Sequence, residues 1–539
     1  MIRPLIHFAA TSMILAALTA PCLQGQEAEA SREFGPAPTA SWPTYNGDFS
    51  GRRFSELTQI NVDSAKGLKL QWSYEIGKKS TGARNELAAA QIKSTPLMID
   101  GRLYFTVPDH VFAVDARTGK ELWTYSWVDK GGHLLGNRGL GFYNGTLYFV
   151  GPDGWLIALD AVSGKERWRK ELVDARKQYF TTTAPMIIKN HLLIGVGGDA
   201  MDIPGFLLAV NPENGDPQWR WNSTPRAGDP ELKTWPNATV AEHGGGMTWL
   251  PGTFDATLNT IYWGTGNTNP VYAGNARAGS NLWTAAIVAL DVDTGKLKWY
   301  FQTSPHDTHD WDNVETPVLF DQMVDGKPRK LLAQAARNGY FVVLDRVTGK
   351  NLVTTPFVPL NWSKGISPRG EPIPDPAKEP SVAGSLSIDS ATNWFPPSYS
   401  QKSGLFYFNG SEAWELYYLT DLDPKPAGYA GTTTTVGESR HFLDAIDAKG
   451  HVVWQHNFPA APGTGGGSNG GVLSTAGGLV VAGDIQRNLI VFRDTDGAIL
   501  WHDALKQNVS NGPMTVMQDG TQWLFVGAGG TMYAYTLGK

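Results

Sequence analysis

Acidic and amide side chains concentrate in one stretch of the chain, residues 243–313. Asp310 and Asp312 lie two residues apart, and side chains at that spacing point to the same side of an extended backbone. Asn267 ends a Gly-Thr-Gly-Asn run, whose glycines allow close backbone approach. Such side chains can bind a hard cation or take up a proton. The alternative is a plain turn, because Asp and Gly are also common turn residues.

Aromatic and basic residues add a second kind of candidate. Trp249 ends a Gly-Gly-Gly-Met-Thr-Trp run, and a flat indole can stack on a planar ring system. Arg138 and Arg337 carry guanidinium forks, which suit carboxylate groups. With 20 Trp in the chain, a core role for Trp249 is the alternative.

A recurring phrase predicts the elements that carry these residues. An apolar strand ends in Asp or Asn, a turn with Gly follows, and a second strand ends in Trp or, once, Leu. The copies are Val111–Trp123, Leu156–Trp168, Leu207–Trp219, Ile287–Trp299, Phe341–Leu352, Phe442–Trp454 and Leu489–Trp501, with Trp72 closing a partial copy. Consecutive closing Trp residues are mostly about 45 to 51 positions apart, a blade-sized period for four short strands. The chain is therefore predicted to be all-β, an eight-bladed β-propeller with tryptophan-docking repeats.

The turn chemistry explains how the repeat would close. In the Asp-x-x-Thr-Gly-Lys hairpin, Gly supplies a positive φ and Asp caps the turn backbone. The closing Trp is expected to cover the turn of a neighbouring unit. The C-terminal strands from Trp523 onward are expected to pair with N-terminal strands and shut the ring. Insertions at 223–241 and 360–389 are expected to roof the central funnel.

The N-terminus predicts export. Residues 1–25 read as a signal peptide, with Arg3 before an apolar stretch and polar residues after it, and residues 26–539 as one domain. A single-pass anchor and a lipoprotein attached at Cys22 are the alternatives. Cys22 is the only cysteine, which excludes a Cys-ligated zinc site and a covalent C-x-x-C-H haem. A net charge of −6 without a basic run favours neither nucleic acid nor an anionic membrane surface.

Several segments together resemble one enzyme family. Besides the stretch 243–313, they are residues 42–48, 53–60, 337–346, 393–400 and 469–480. Over nearly all of 26–539 the sequence is similar to the methanol/ethanol dehydrogenases that use pyrroloquinoline quinone (PQQ). The resemblance implies a periplasmic enzyme without stable membrane insertion. It would oxidise an alcohol-type substrate by hydride transfer to PQQ and pass electrons to a soluble cytochrome c or similar acceptor.

The resemblance also assigns site residues. It implies that Asp310 is the catalytic carboxylate, that Asn267 and Asp310 bind the metal, and that Trp249 is the floor beneath PQQ. The metal would be calcium or a lanthanide; an acid at position 312 accompanies lanthanides in one branch, because added negative charge favours a more highly charged ion. The other positions matching cofactor-binding residues are Lys93, Arg138, Thr182, Gly197, Gly198, Arg337 and Asn469.

Three departures from the family leave alternatives open. Ala200 stands where the family has a metal-binding Glu, so Asp199 or Asp202 would have to replace it. Lys93 stands in place of another Glu, where it would face a PQQ carboxylate or carbonyl. The family's vicinal disulfide is absent. The alternative function is an exported β-propeller that serves as a binding or assembly scaffold without redox activity.

Overall fold

The computed structural model describes residues 33–77, 91–324, 326–459 and 470–538. The predicted signal peptide at 1–25 and the candidate residue Asn469 lie outside these ranges. The described residues form eight sheets of four or five strands and one two-stranded sheet. The prediction of an all-β, propeller-type fold is therefore confirmed.

The first two strands join sheets that are completed by the C-terminal part of the chain. They are β1 (Phe54–Ser55) and β2 (Leu68–Glu75). Between them and the chain's last third lie five sheets, each built from four consecutive antiparallel strands. Their strands are β3 (Leu97–Ile99), β4 (Arg102–Val107), β5 (His110–Asp115), β6 (Glu121–Ser126); β7 (Gly141–Tyr143), β8 (Thr146–Val150), β9 (Trp155–Asp160), β10 (Glu166–Glu171); β11 (Met186–Ile188), β12 (His191–Val196), β13 (Phe206–Val210), β14 (Pro217–Asn222); β15 (Thr253–Asp255), β16 (Thr260–Gly264), β17 (Ala286–Asp291), β18 (Leu297–Gln302); β19 (Val318–Val324), β20 (Lys327–Ala335), β21 (Tyr340–Asp345) and β22 (Asn351–Pro356).

The remaining strands include one unusually long hairpin. The two-stranded sheet is β23 (Ser363–Ile366) with β24 (Pro372–Pro374). The next sheet holds β25 (Ser385–Ile388), β26 (Ser398–Ser400), β27 (Leu405–Leu419), β28 (Gly431–Asp447) and β29 (Val452–Asn457). The last strands are β30 (Leu473–Thr475), β31 (Leu479–Gly483), β32 (Asn488–Arg493), β33 (Ile499–Ala504), β34 (Met514–Gln518), β35 (Thr521–Ala528) and β36 (Thr531–Leu537). β27 and β28 pair along their whole length, well beyond the part that pairs with β29.

Helices are short and lie in connections. α1 spans Ala238–Ala241. The 3-10 helices are Ala65–Gly67, Ala175–Lys177, Pro230–Thr234, Gly274–Arg277 and Pro376–Lys378. The scarcity of sustained 3.6-residue periodicity in the sequence agrees with these lengths.

The chain closes on itself through pairing of its two ends. β2 pairs antiparallel with β36, and β1 pairs parallel with β30. The predicted pairing of the C-terminal strands with N-terminal strands is therefore confirmed. A shared core backs this closure, because Trp42, Phe105 and Tyr535 belong to one cluster of buried side chains. Burial of such side chains stabilises the fold by about 1.5–3 kcal/mol each.

Closing tryptophans contact glycine turns of the following sheet. The Trp72 indole on β2 donates from Nε1 to the Ala116 carbonyl at 3.1 Å. It also lies so close to Gly119 (φ +69°) that a Cβ there would be 2.6 Å away. The same close approach to a turn glycine recurs at Trp123, Trp219, Trp299 and Trp454. Only glycine fits these turns, which explains why the repeat keeps Gly ahead of each Trp.

The strand order brings the candidate site residues to one end of each sheet. In four consecutive antiparallel strands, the connections before the first strand, between the second and third, and after the fourth lie at the same end. Lys93, Arg138, Thr182, Trp249, Glu315 and Trp394 each precede the first strand of such a unit, here β3, β7, β11, β15, β19 and β26. Gly197, Asn267 and Arg337 follow the second strands β12, β16 and β20.

Candidate active site

One arginine bridges the two candidate carboxylates. Arg337 donates from Nη1 to Asp312 Oδ2 at 3.0 Å and from Nη2 to Asp310 Oδ2 at 3.3 Å. Its Nε donates to Ser390 Oγ at 2.7 Å. The rigid guanidinium fork fixes the relative position of both acids. Both carboxylates thus reach the same guanidinium, although Asp310 has a left-handed backbone conformation (φ +65°) and does not lie in the extended segment that we expected.

Asp307 shapes the loop that carries Asp310. Its carboxylate accepts the backbone N–H of His309 at 3.0 Å and that of Trp311 at 3.1 Å. Asp310 between them has a φ of +65°, a conformation that Asp tolerates better than most residues. The His309 ring stacks on Trp311 with centroids 4.2 Å apart and bonds to the Lys378 carbonyl at 3.1 Å. These contacts therefore fix the conformation of the loop from which Asp310 bonds to Arg337.

Asn267 is tied directly to Asp312. Its backbone N–H donates to Asp312 Oδ1 at 2.7 Å. Gly266 allows this approach, since a Cβ there would lie 2.6 Å from the same oxygen. The Asn267 side chain is buried, and its Nδ2 has no hydrogen-bond partner. An unpaired, buried Nδ2 donor is suited to an acceptor group from outside the chain.

Negative charge exceeds positive charge around Arg337. Burial and the charges of Asp312, Asp199 and Asp307 raise the pKa of Asp310 well above its usual value, although Arg337 lowers it. Burial and Asp312 raise the pKa of Asp199 to about 6. One guanidinium thus faces several mutually repelling carboxylates, which favours an additional cation.

The donor set around Arg337 fits a hard metal ion. It consists of the Asp310 and Asp312 carboxylates and the Asn267 amide, all oxygen-bearing groups. Within the described ranges, no three His, Cys, Asp or Glu side chains converge to hold a metal by themselves. The amide is therefore essential to the set.

Glu315 is a buried acid that sequence reasoning missed. Neither carboxylate oxygen has a hydrogen-bond partner. Burial raises the pKa of Glu315 to about 8, against the opposing charge of Arg337. The sequence gives no signal here, because Glu315 stands in an ordinary Asn-Val-Glu-Thr-Pro run before β19.

Arg138 and Lys93 form a second, cationic region of the candidate site. The Arg138 guanidinium lies 4.7 Å from the Trp249 ring centre and 4.8 Å from that of Trp394. Lys93 Nζ donates to the Leu135 carbonyl at 2.9 Å. A Cβ at Gly136 would lie 2.9 Å from Lys93 Cδ and 3.3 Å from Arg138 Nη1, so both cations converge on this glycine.

Arg138 is buried and Lys93 is partly buried, and neither has an acidic partner among the described residues. Burial lowers the pKa of Arg138 to about 10, and burial together with Arg138 lowers the pKa of Lys93 to about 8. Neither forms an ion pair with a carboxylate among the described residues. Arg138 Nε has no hydrogen-bond partner. A buried cation and a partly buried one, both without a carboxylate partner, favour an anionic ligand.

The remaining cofactor candidates among the described residues are Thr182, Gly197 and Gly198. Thr182 accepts the Arg138 N–H on its carbonyl at 3.0 Å and donates from Oγ1 to the Trp249 carbonyl at 3.4 Å. Gly197 packs against Met247, and Gly198 against Ile203. Thr182 therefore links Arg138 to Trp249, whereas the two glycines allow close packing of the neighbouring chain.

The two possible replacements for the missing glutamate differ in position. Asp199, with a φ of +50°, interacts electrostatically with Asp310 and Asp312. Asp202 instead lies 3.6 Å from His243, and both side chains are exposed. Asp199 is therefore the one that joins the acidic group.

A long hairpin covers the acidic side of the site. At its tip, the carbonyls of Gly428 and Tyr429 accept the N–H groups of Val271 and Tyr272 at 2.8 and 3.0 Å. The negative charge of Asp310, followed by burial, raises the pKa of Tyr429 above its usual range. The connection between β27 and β28 thus contacts this side of the site, whereas we expected a roof from the insertions at 223–241 and 360–389. The insertion at 360–389 instead contacts the loop of His309 through Lys378.

Among the described residues, no helix has the length and apolar character needed to cross a membrane.

Two family models match the chain. The family model described as glucose/ethanol/alcohol dehydrogenase, beta-propeller domain, matches residues 42–361. A second model, described as outer membrane protein assembly factor BamB, matches residues 439–538.

Individual relatives match over most of their length. The quinohemoprotein alcohol dehydrogenase of Comamonas testosteroni is 34% identical, with 92% of this chain and 73% of that protein covered. The 1-butanol dehydrogenase (cytochrome c) of Thauera butanivorans is 31% identical, with 93% and 79% covered. The structure of a europium-containing methanol dehydrogenase aligns with a TM-score of 0.80 and 26% identity, covering 92% of this chain and 98% of the other.

Proposed function

The chain belongs to the PQQ-dependent quinoprotein alcohol dehydrogenases, and from this premise we propose that it is a periplasmic enzyme oxidising an alcohol-type substrate at Asp310. The family assignment makes it an oxidoreductase. This assignment weighs against a scaffold without redox activity. The observation that carries the site is the single guanidinium of Arg337, which binds Asp310 and Asp312 together.

The eight sheets are proposed to be the eight blades of one propeller. Contacts of Trp72, Trp123, Trp219, Trp299 and Trp454 with turn glycines support docking of blade to blade by tryptophan. The candidate site would then lie at the funnel where the inner strands begin.

PQQ is proposed to lie between the cationic and acidic regions. Trp249 offers a flat apolar surface for a planar ring, and the partly buried Lys93 and the buried Arg138 offer two cations for its carboxylates. Arg337 would bind its carbonyl oxygens while keeping hold of Asp310. When bound, PQQ supplies the oxidising power and accepts the hydride from the alcohol carbon.

The metal is proposed to bind at Asn267, Asp310 and Asp312, with the nearby Asp199 carboxylate contributing negative charge in place of the glutamate absent at Ala200. A bound calcium or lanthanide ion would polarise the quinone carbonyl as a Lewis acid. The surplus of carboxylates over Arg337 supports a highly charged ion, hence a lanthanide.

Asp310 is proposed as the general base. Its raised pKa makes the carboxylate a better proton acceptor than an ordinary Asp. Arg337 and the Asp307-shaped loop orient it. Asp310 would take the hydroxyl proton as hydride leaves the same alcohol.

Electrons are proposed to leave to a separate soluble cytochrome c or similar acceptor. The C-x-x-C-H motif for a covalent haem is missing from the sequence. A relative is named a cytochrome c-dependent butanol dehydrogenase, which supports this type of acceptor. The predicted signal peptide at 1–25 supports export to the periplasm.

Reconstitution tests the proposed function. The purified protein is loaded with PQQ and either calcium or lanthanum, and dye reduction is followed over a panel of alcohols and sugars. We expect alcohol-dependent turnover that requires PQQ and is greater with lanthanum than with calcium. Absence of PQQ-dependent turnover with every metal would overturn the enzymatic proposal.

A further inference from the structure

Arg277 is a fully buried cation that binds backbone carbonyls instead of a carboxylate. Its Nε donates to the Pro270 carbonyl at 2.8 Å, and its Nη2 donates to the Val271 carbonyl at 2.7 Å and also to the Asp307 carbonyl. Its Nη1 donates to Asn281 Oδ1 at 2.8 Å. Its relative exposure is 0%. Such a buried charge without a counter-ion is costly unless its hydrogen bonds are complete.

The carbonyls that Arg277 binds come from two loops of the candidate site. Pro270 and Val271 follow Asn267 by three and four residues, and Asp307 precedes Asp310 by three. Arg277 therefore connects the loop with the amide ligand to the loop with the proposed base. A guanidinium suits this task, because its N–H groups diverge in a rigid plane and reach several acceptors at once.

Neighbouring contacts reinforce the same connection. The His306 N–H donates to the Ser280 carbonyl at 3.1 Å, and His306 Nδ1 bonds to the Gly279 carbonyl at 2.7 Å. A Cβ at Gly274 would lie 2.6 Å from His306 Nε2, so only glycine fits there. The turn around Arg277 is thus packed tightly against the loop that leads to Asp310.

We propose that Arg277 is a positioning residue that fixes the distance between Asn267 and Asp310, and thereby the metal site. Because it is fully buried, it acts on substrate and cofactor only through these two loops. The consequence for metal binding rests on the proposed function, whereas the coupling of the loops does not. Small displacements of ligands and base are expected to have large effects on binding and rate.

Arg53 offers a matched control. It is also fully buried and binds three backbone carbonyls, of Tyr45, Val472 and Pro513, from Nη1, Nε and Nη2. Those carbonyls belong to neither candidate ligand loop. Arg53→Lys should therefore lower stability as Arg277→Lys does, without acting on the metal loops.

The test compares Arg277→Lys and Arg53→Lys in the full-length protein by hydrogen exchange and by terbium binding. Tryptophan-sensitised terbium luminescence gives the metal affinity without PQQ or turnover. We expect Arg277→Lys to speed amide exchange in peptides covering 268–272 and 307–311 at least tenfold and to weaken terbium at least tenfold. Arg53→Lys should leave both within about twofold of the wild type.

Two results would overturn the proposal. One is unchanged exchange at 307–311 in Arg277→Lys; the other is a loss of terbium affinity no larger than in Arg53→Lys. If Arg277→Lys does not fold, Asn281→Gly replaces it, since glycine keeps the φ of +60° and removes the side-chain acceptor of Arg277 together with the Asn281 Nδ2 bonds to the Arg277 and Thr234 carbonyls. The same outcomes then decide. If the wild type binds no terbium, the metal part of the proposed function fails, and exchange alone decides the role of Arg277.

Discussion

The guanidinium of Arg138 lies 4.7 Å from the centre of the Trp249 ring. It is buried there with an unpartnered Nε and no acidic partner among the described residues. This arrangement places a costly charge beside the surface on which the cofactor is proposed to lie. We propose that affinity for an anionic cofactor offsets the stability that this unpaired charge costs.

Replacing Arg138 should therefore weaken PQQ binding without lowering the stability of the protein. In Arg138→Met, we expect PQQ to bind about 10- to 100-fold more weakly, since a charge-assisted hydrogen bond contributes about 1.5–3 kcal/mol. The melting temperature of the cofactor-free protein should stay the same or rise, because an unpaired buried charge is removed. Fluorescence titration with PQQ and thermal denaturation measure the two quantities. A variant that melts much lower with unchanged PQQ affinity would contradict this role.

Lys93 should make cofactor binding depend on pH. The pKa of Lys93 is lowered to about 8, so the side chain is charged below pH 8 and neutral above it. A bound carboxylate favours the charged form and raises this pKa. PQQ affinity should therefore be highest below pH 8 and fall as pH rises through 8. Titrations from pH 6 to 10 should show this fall in the wild type and lose it in Lys93→Gln.

Asp312 should determine metal preference more than the rate with a given metal. Removing its carboxylate in Asp312→Ala lowers the negative charge of the ligand set, which weakens a trivalent ion more than a divalent one. We expect the ratio of lanthanum to calcium affinity to fall at least tenfold. Competition titrations with terbium measure this ratio. Equal weakening of both ions would indicate that Asp312 only supports Arg337 and Asn267.

Tyr429 should limit substrate size. It lies at the tip of the hairpin between β27 and β28 and is held to Tyr272 by a backbone hydrogen bond. In Tyr429→Ala, we expect kcat/KM for bulky alcohols to rise relative to that for ethanol by about 10-fold, the range that a few methylene contacts provide. Tyr429→Phe, which keeps the ring, should retain the wild-type order of substrates. An unchanged order in both variants would place Tyr429 outside the substrate pocket.

The fold was predictable because each repeat carries its own local signals. Asp115 and Gly119 form the expected turn, in which the Thr118 N–H donates to Asp115 Oδ1 at 3.0 Å. Seven such phrases and one partial copy leave few other architectures. The pairing of β2 with β36 followed from the need to close the ring.

Site residues were predictable from the sequence only where they lie close together along the chain. Asp310 and Asp312 are close in sequence, and Arg337, which the resemblance assigned only to the cofactor, joins them in the structure. Glu315, Tyr429 and Arg277 were missed because their importance comes from burial and from distant partners, which no local pattern shows. Asn267 was predictable in part. The family resemblance identified the residue, whereas the need for glycine at position 266 became clear only from its contact with Asp312 in the structure.

The most direct test of the central claim is the rate of alcohol-dependent PQQ reduction in Asp310→Asn. Asparagine keeps the size of Asp310 and removes its ability to accept a proton. In a single turnover of the reconstituted protein, followed by the PQQ absorbance, we expect reduction at least 10³-fold slower than in the wild type, the scale of general-base catalysis. PQQ affinity should stay within a few-fold. Reduction at the wild-type rate with PQQ bound would contradict the account.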